Sequence, residues 1–192
     1  MIKKRIAAFL TTIIIFTQIN TNPEIFTSSQ LNIKKEQDKY TKTLKETLIT
    51  VPTNILNSFY KDNWSIILSD ENLGKKYFNS PTYRVLAVTD SEHNLIEIEK
   101  NIKSIKSSTL HEIGHYIAHK TGRADKTDTF SSIYKKERNK FKSHESGTSY
   151  SNQSPQEYFA EAFQEIILYP EEMAQQIPLT YKYIINLISY IK

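Results

Sequence analysis

His111-Glu112-Ile113-Gly114-His115 constrains the fold of this chain more than any other stretch, because two histidines at i and i+4 act together only on a helix. About 40° separates the two rings around such a helix, so both can reach one ion. Glu112 falls on the flank of the pair, badly placed to be a ligand and well placed to hold a water beside the metal. Zinc lowers the pKa of a bound water from about 15.7 to about 7, and a neighbouring carboxylate can take the proton as attack begins. The pattern predicts a helix over 109–121, one Zn2+ per chain on His111 and His115, and Glu112 as general base. With five histidines in 192 residues, H-E-x-x-H arises by chance roughly once in a hundred such chains. A third ligand must therefore be found.

His119 continues the series, but on a continuous helix it lies about 6 Å beyond His115 and has rotated about 40° further. Chains that supply a third histidine soon after the motif turn the helix with a glycine first, and here Gly122 comes too late. His93 falls in a predicted turn and His144 in a polar loop, where both read as surface histidines. Glu157 is the better candidate, within Ser154-Pro155-Gln156-Glu157-Tyr158-Phe159-Ala160-Glu161-Ala162-Phe163. Ser154 suits an N-cap and Pro155 the first helical position, which puts Glu157 and Glu161 one turn apart. Acidic residues in a first turn also complement the helix dipole. The small Ala160 and Ala162 let a second helix approach closely, as a two-helix metal site requires. Glu157 is expected to bind zinc, and Glu161 to hydrogen-bond a ligand histidine and fix its tautomer.

The remaining chain organises around that pair of helices. A helix is read within 30–50 from Leu44, Leu48 and Ile49, and a second after Pro52 from Ile55, Leu56 and Phe59. Residues 64–69 read as a buried strand carrying a buried Trp64. Residues 83–90 read as a second strand, and 95–99 as a third after a turn at 91–94. From there the period is helical: 109–121, 130–141, 155–168 and 179–191. Gly114 costs a helix about 1 kcal/mol relative to alanine, which close packing of another element across it would explain. A small mixed sheet followed by a mainly helical C-terminal half is an α+β domain.

Lys3, Lys4 and Arg5 precede an uncharged run from Ile6 to Thr17. That is the layout of a signal peptide, expected to span 1–26, and the run is too short to cross a membrane. Residues 27–192 then form a single domain, secreted, with no stable membrane insertion after the leader is removed. The absence of cysteine excludes disulfides, thiolate ligands and a lipidated cysteine, and fits a Gram-positive origin. A net charge of +4 is small for the length. The cluster Lys135, Lys136, Arg138, Lys140 and Lys142 lacks the aromatic or glycine pattern of a nucleic-acid module and reads as a solvated helix face. No nucleic-acid partner is expected.

His111 to His115, followed some forty residues later by Glu157-Tyr158-Phe159-Ala160-Glu161-Ala162-Phe163, resembles the anthrax lethal factor-like metallopeptidases. That family includes secreted bacterial Pro-Pro endopeptidases, whose small size and leader this chain shares. The likeness runs from about Ile49 to the C-terminus. It implies a zincin-like metallopeptidase domain, with zinc on His111, His115 and Glu157 and with Glu112 as general base. It also implies that Tyr150, seven residues before Glu157, stabilises the tetrahedral intermediate; a phenol of pKa near 10 stays protonated and can donate to an oxyanion. A peptide substrate would lie antiparallel to an edge strand, for which 84–89 is the candidate. The expected activity is that of a monomeric endopeptidase acting on a protein or peptide, with proline-rich surface proteins as one substrate class. A toxin-like effector of other specificity and a catalytically silent partner-binding domain are the alternatives.

Overall fold

In a computed structural model that describes residues 38–144 and 153–192, one long helix is buried on nearly every side, and the other elements are arranged around it. This helix, α4 (Ile102–Lys120), is capped by Asn101, whose side chain accepts from the Ser104 amide. Ile105, Leu110, Ile113, Tyr116 and Ile117 form one apolar face about 140° wide, and Ser104, Ser108, His111 and Gly114 are buried on the other side. Helix α1 (Lys39–Leu48) packs on α4, as does α6 (Pro155–Leu168). Between them in sequence come α2 (Thr53–Lys61), the short α3 (Leu73–Phe78), a 3-10 turn (Ala124–Lys126) and α5 (Asp128–Glu137). Two further helices, α7 (Pro170–Gln176) and α8 (Pro178–Ser189), close the chain.

The sheet has three strands in the order β1-β3-β2. β1 (Ser65–Ser69) runs parallel to β3 (Leu95–Glu99), with Ile66 opposite Ile96 and Leu68 opposite Ile98. β2 (Ala87–Asp90) is antiparallel to β3, with Val88 opposite Glu97. Mixed pairing and a helical second half make this the α+β domain expected. β2 and β3 also pack on α4, so the motif helix lies between the sheet and α6.

Several elements differ from the sequence reading. β1 was expected to be buried, but it is an edge strand with Ile67 46% exposed; Trp64 just before it is buried against Phe59 and Tyr116. The second strand covers 87–90 rather than 83–90. β3 ends at Glu99, whose amide donates to Leu86 O, so residues 83–85 have no ladder to join. Tyr83 instead closes a turn on Ser80 and lays its carbonyl over Gly74, where a Cβ would come within 2.0 Å of it. The short α3 and α7 were not read from the sequence. The helix assigned to 130–141 spans 128–137. The leader and the expected domain boundary at 26/27 lie outside the described residues. Among those described, no helix is long and apolar enough to cross a membrane.

Candidate metal centre and substrate cleft

Two helices bring the candidate ligands together. His111 and His115 project from α4 with ring centroids 4.9 Å apart, at 80° to each other. Ser154 caps α6 by accepting from the Glu157 amide at 3.1 Å, which sets the first turn of that helix facing α4. The close approach is made at Gly114: a Cβ there would sit 2.8 Å from Ala160 Cα and 2.9 Å from Ala160 O. A glycine that weakens α4 locally thus allows α6 to lie against it. As a result Glu157 Oε2 lies 3.2 Å from His111 Nε2, and Oε1 lies 3.8 Å from His115 Nε2.

Those three residues could hold a metal ion, since one donor atom from each falls within 4.8 Å of the others. Hydrogen bonding supports the fit. His111 Nδ1 faces Glu161 Oε2 at 3.0 Å, so a neutral ring donating there turns the lone pair of Nε2 toward a carboxylate oxygen. Glu157 Oε2 is buried and accepts no hydrogen bond. Two lone pairs facing each other call for a cation between them, either a proton or a metal. The electrostatics agree. Burial pushes His111 toward its neutral form, but Glu157 and Glu161 outweigh burial and raise its pKa to about 10. Burial also opposes charge on Glu157, yet the two rings hold its carboxyl well below the usual carboxylate range. Two imidazole nitrogens and one carboxylate oxygen are a donor set that suits zinc and leaves a coordination position open.

Glu112 is not one of the three converging donors. Its Oε2 accepts a 2.6 Å hydrogen bond from the hydroxyl of Thr89 on β2, which also lies 3.2 Å from the Glu112 carbonyl. Both residues line a cleft of about 840 Å³ together with His111, His115 and Glu157. Among the described residues β2 pairs only with β3, so its other edge is open on the cleft wall. Phe78 and Tyr83 line the same cleft, 55% and 57% exposed, with rings 5.5 Å apart and nearly perpendicular.

The other histidines stand apart from the ligand group. His119 lies against Trp64, and His93 is exposed and paired with Asp90. His144 differs from a simple surface histidine: it is half-exposed, and its Nδ1 is 2.7 Å from the buried Glu165. Tyr150 lies outside the described residues. Thr89, Phe78 and Tyr83 were missed as individual cleft residues, although Thr89 fell within the candidate edge strand. For Glu165 a signal existed, the continuation of the four-residue spacing from Glu157 and Glu161.

Against known proteins, the chain matches the family model described as anthrax toxin lethal factor, N- and C-terminal domain, over residues 32–187. The chain belongs to this family. Among solved structures, this lethal factor family member is similar to the Pro-Pro endopeptidase PPEP-2 from Paenibacillus alvei. The TM-score is 0.58 at 19% identity, covering 80% of this chain and 94% of that one. At that identity the likeness establishes the shared fold. No curated protein matches the sequence significantly.

Proposed function

We propose that the chain is a secreted zinc-dependent endopeptidase. One observation carries this reading: His111, His115 and Glu157 converge beside Glu112 in a cleft that also exposes an open strand edge. The three ligands hold one zinc ion, which when bound supplies Lewis acidity that makes water nucleophilic near neutral pH and polarises the scissile carbonyl. Glu112 takes the proton of the attacking water and later passes it to the leaving amine. The Thr89 hydroxyl holds one oxygen of that carboxylate, leaving the other to move the proton. Glu161 fixes the ring of His111 by accepting from Nδ1. Tyr150 donates its phenol to the developing oxyanion, a role supported by the family resemblance.

The substrate peptide lies antiparallel to β2 and takes main-chain hydrogen bonds from its open edge. Proline-rich chains are the proposed substrates. The fold is shared with a protein named a Pro-Pro endopeptidase, and the exposed rings of Phe78 and Tyr83 offer the kind of aromatic surface on which proline packs. Ligands, base and cleft all belong to one chain, which supports action as a monomer. Export is supported by Lys3, Lys4, Arg5 and the uncharged run that follows, and a Gram-positive source is in keeping with the lack of cysteine.

The test is cleavage of a peptide library with Pro-Pro and non-proline members by zinc-loaded mature protein, with Glu112→Ala as control. Cleavage confined to Pro-Pro bonds and lost in the variant is the expected result. Cleavage elsewhere keeps the endopeptidase and removes the Pro-Pro selectivity. No cleavage by folded, zinc-occupied protein overturns the reading in favour of a partner-binding domain of the same fold.

A further inference from the structure

Three glutamates follow one another at i, i+4 and i+8 on α6: Glu157, Glu161 and Glu165. The first two face the metal centre. Glu165 is 0% exposed and has no part in the chemistry above. A carboxylate so buried needs dedicated partners, and residues 143–144 provide them. Glu165 Oε1 accepts from the His144 amide at 3.0 Å, and Oε2 lies 2.7 Å from His144 Nδ1. The His144 ring is stacked on Tyr169 with centroids 4.1 Å apart, and its Nε2 is 3.5 Å from Glu172. His144 is therefore held from three directions, which fixes the residue before it.

That residue is Ser143. Its hydroxyl makes a short hydrogen bond to Glu161 Oε1 and lies 3.0 Å from Glu165 Oε1. A hydroxyl carries one proton. Glu165 Oε1 already has the His144 amide, so the Ser143 proton serves Glu161. The terminal carboxylate torsion of a glutamate is broad and soft, and a carboxylate engaged at one oxygen can swing. Glu161 is engaged at both, with Oε1 on Ser143 and Oε2 on His111 Nδ1. We propose that Ser143 and His144, clamped by Glu165, are positioning residues that orient the His111 ring through Glu161. The metal-binding face of His111 is thereby set by a chain of contacts that begins at a half-exposed histidine outside the lining of the cleft.

For its effect on zinc, this inference rests on His111 being a ligand; the ring orientation does not. Two readouts separate them. In metal-free protein labelled with 15N-histidine, NMR follows the His111 Nδ1 proton. Ser143→Ala is expected to speed its exchange at least tenfold, while Ser143→Thr, which keeps the hydroxyl, stays within twofold of wild type. Zinc affinity, measured by chelator competition, is expected to fall about tenfold in Ser143→Ala, at the low end for such outer partners. In a Glu161→Gln background the same change should add less than twofold, because Ser143 acts through that carboxylate. Glu165→Gln should reproduce the Ser143→Ala loss; if it does not fold, Ser143→Ala still decides. Unaltered proton exchange in folded Ser143→Ala, or an equal affinity loss in both backgrounds, overturns the proposal. A wild-type protein that protects the proton yet binds no zinc would sink the zinc reading and leave this one standing.

Discussion

On one side of the cleft two long helices press together backbone to backbone, and on the other a six-residue helix and a loop are tied down by charged side chains. The α4–α6 side is fixed by the Gly114–Ala160 contact and carries every candidate ligand on regular spacing. The opposite side, residues 73–90, carries the aromatic pair and the open strand edge. It is anchored by Glu97, which receives Lys76 Nζ at 2.9 and 2.8 Å and the Tyr77 hydroxyl at 2.7 Å. Under the proposed function the contrast separates chemistry from recognition. The proposed reacting groups sit where helix geometry holds them closely, while the proposed substrate-reading surface is built from a short helix, a loop and a strand edge.

The sharpest way to break this contrast is on the helical side. Glu112→Ala should lower kcat about 10²- to 10⁴-fold while leaving zinc affinity nearly unchanged, because Glu112 is outside the ligand group; steady-state kinetics and zinc titration check both halves. Gly114→Ala comes next. The new Cβ meets the backbone of Ala160, which cannot rotate away, so α4 and α6 must separate. We expect a loss of about 1–3 kcal/mol in denaturant unfolding, despite the better helix propensity of alanine, together with weaker zinc binding.

Changes on the loop side should be milder and should act on different observables. Glu97→Gln is expected to cost about 1–2 kcal/mol at neutral pH, since it weakens the charged hydrogen bonds, without altering zinc affinity. Burial opposes the charge of Glu97, but Lys76 and Tyr77 outweigh it and hold its pKa below the usual 4.5. Its contribution to stability is therefore complete above about pH 4.5 and is lost as pH falls through the lower folded value. Acid unfolding of wild type should show that loss, and Glu97→Gln should lack it. The smallest effect belongs to Tyr83→Ala or Phe78→Ala. Each should raise KM for a proline-rich peptide about threefold to tenfold with kcat unchanged. A fall in kcat instead would mean that this wall takes part in the chemistry.

How far the sequence could be read follows the same division. The candidate ligand histidines and the paired glutamates were visible because i and i+4 place side chains on one helix face whatever surrounds them. Ser154 and Pro155 marked the start of α6 through local capping chemistry. In contrast, α3 is only six residues long, and its remaining signal was the Asn72 cap. Residues 83–85 looked like the start of a strand by composition, yet their neighbour β3 ends too early to pair with them.

Local rules of spacing, capping and periodicity thus determined the motif helix, the second helix of the candidate site and the α+β class from the sequence alone. Tertiary structure decided which contacts those helices could make. It brought Ala160 onto Gly114, Thr89 onto Glu112 and Ser143 onto Glu161, pairs that lie 18 to 46 residues apart in the chain. No local propensity encodes such pairs, because each forms only when separate elements pack into one core and leave buried polar groups that must find partners.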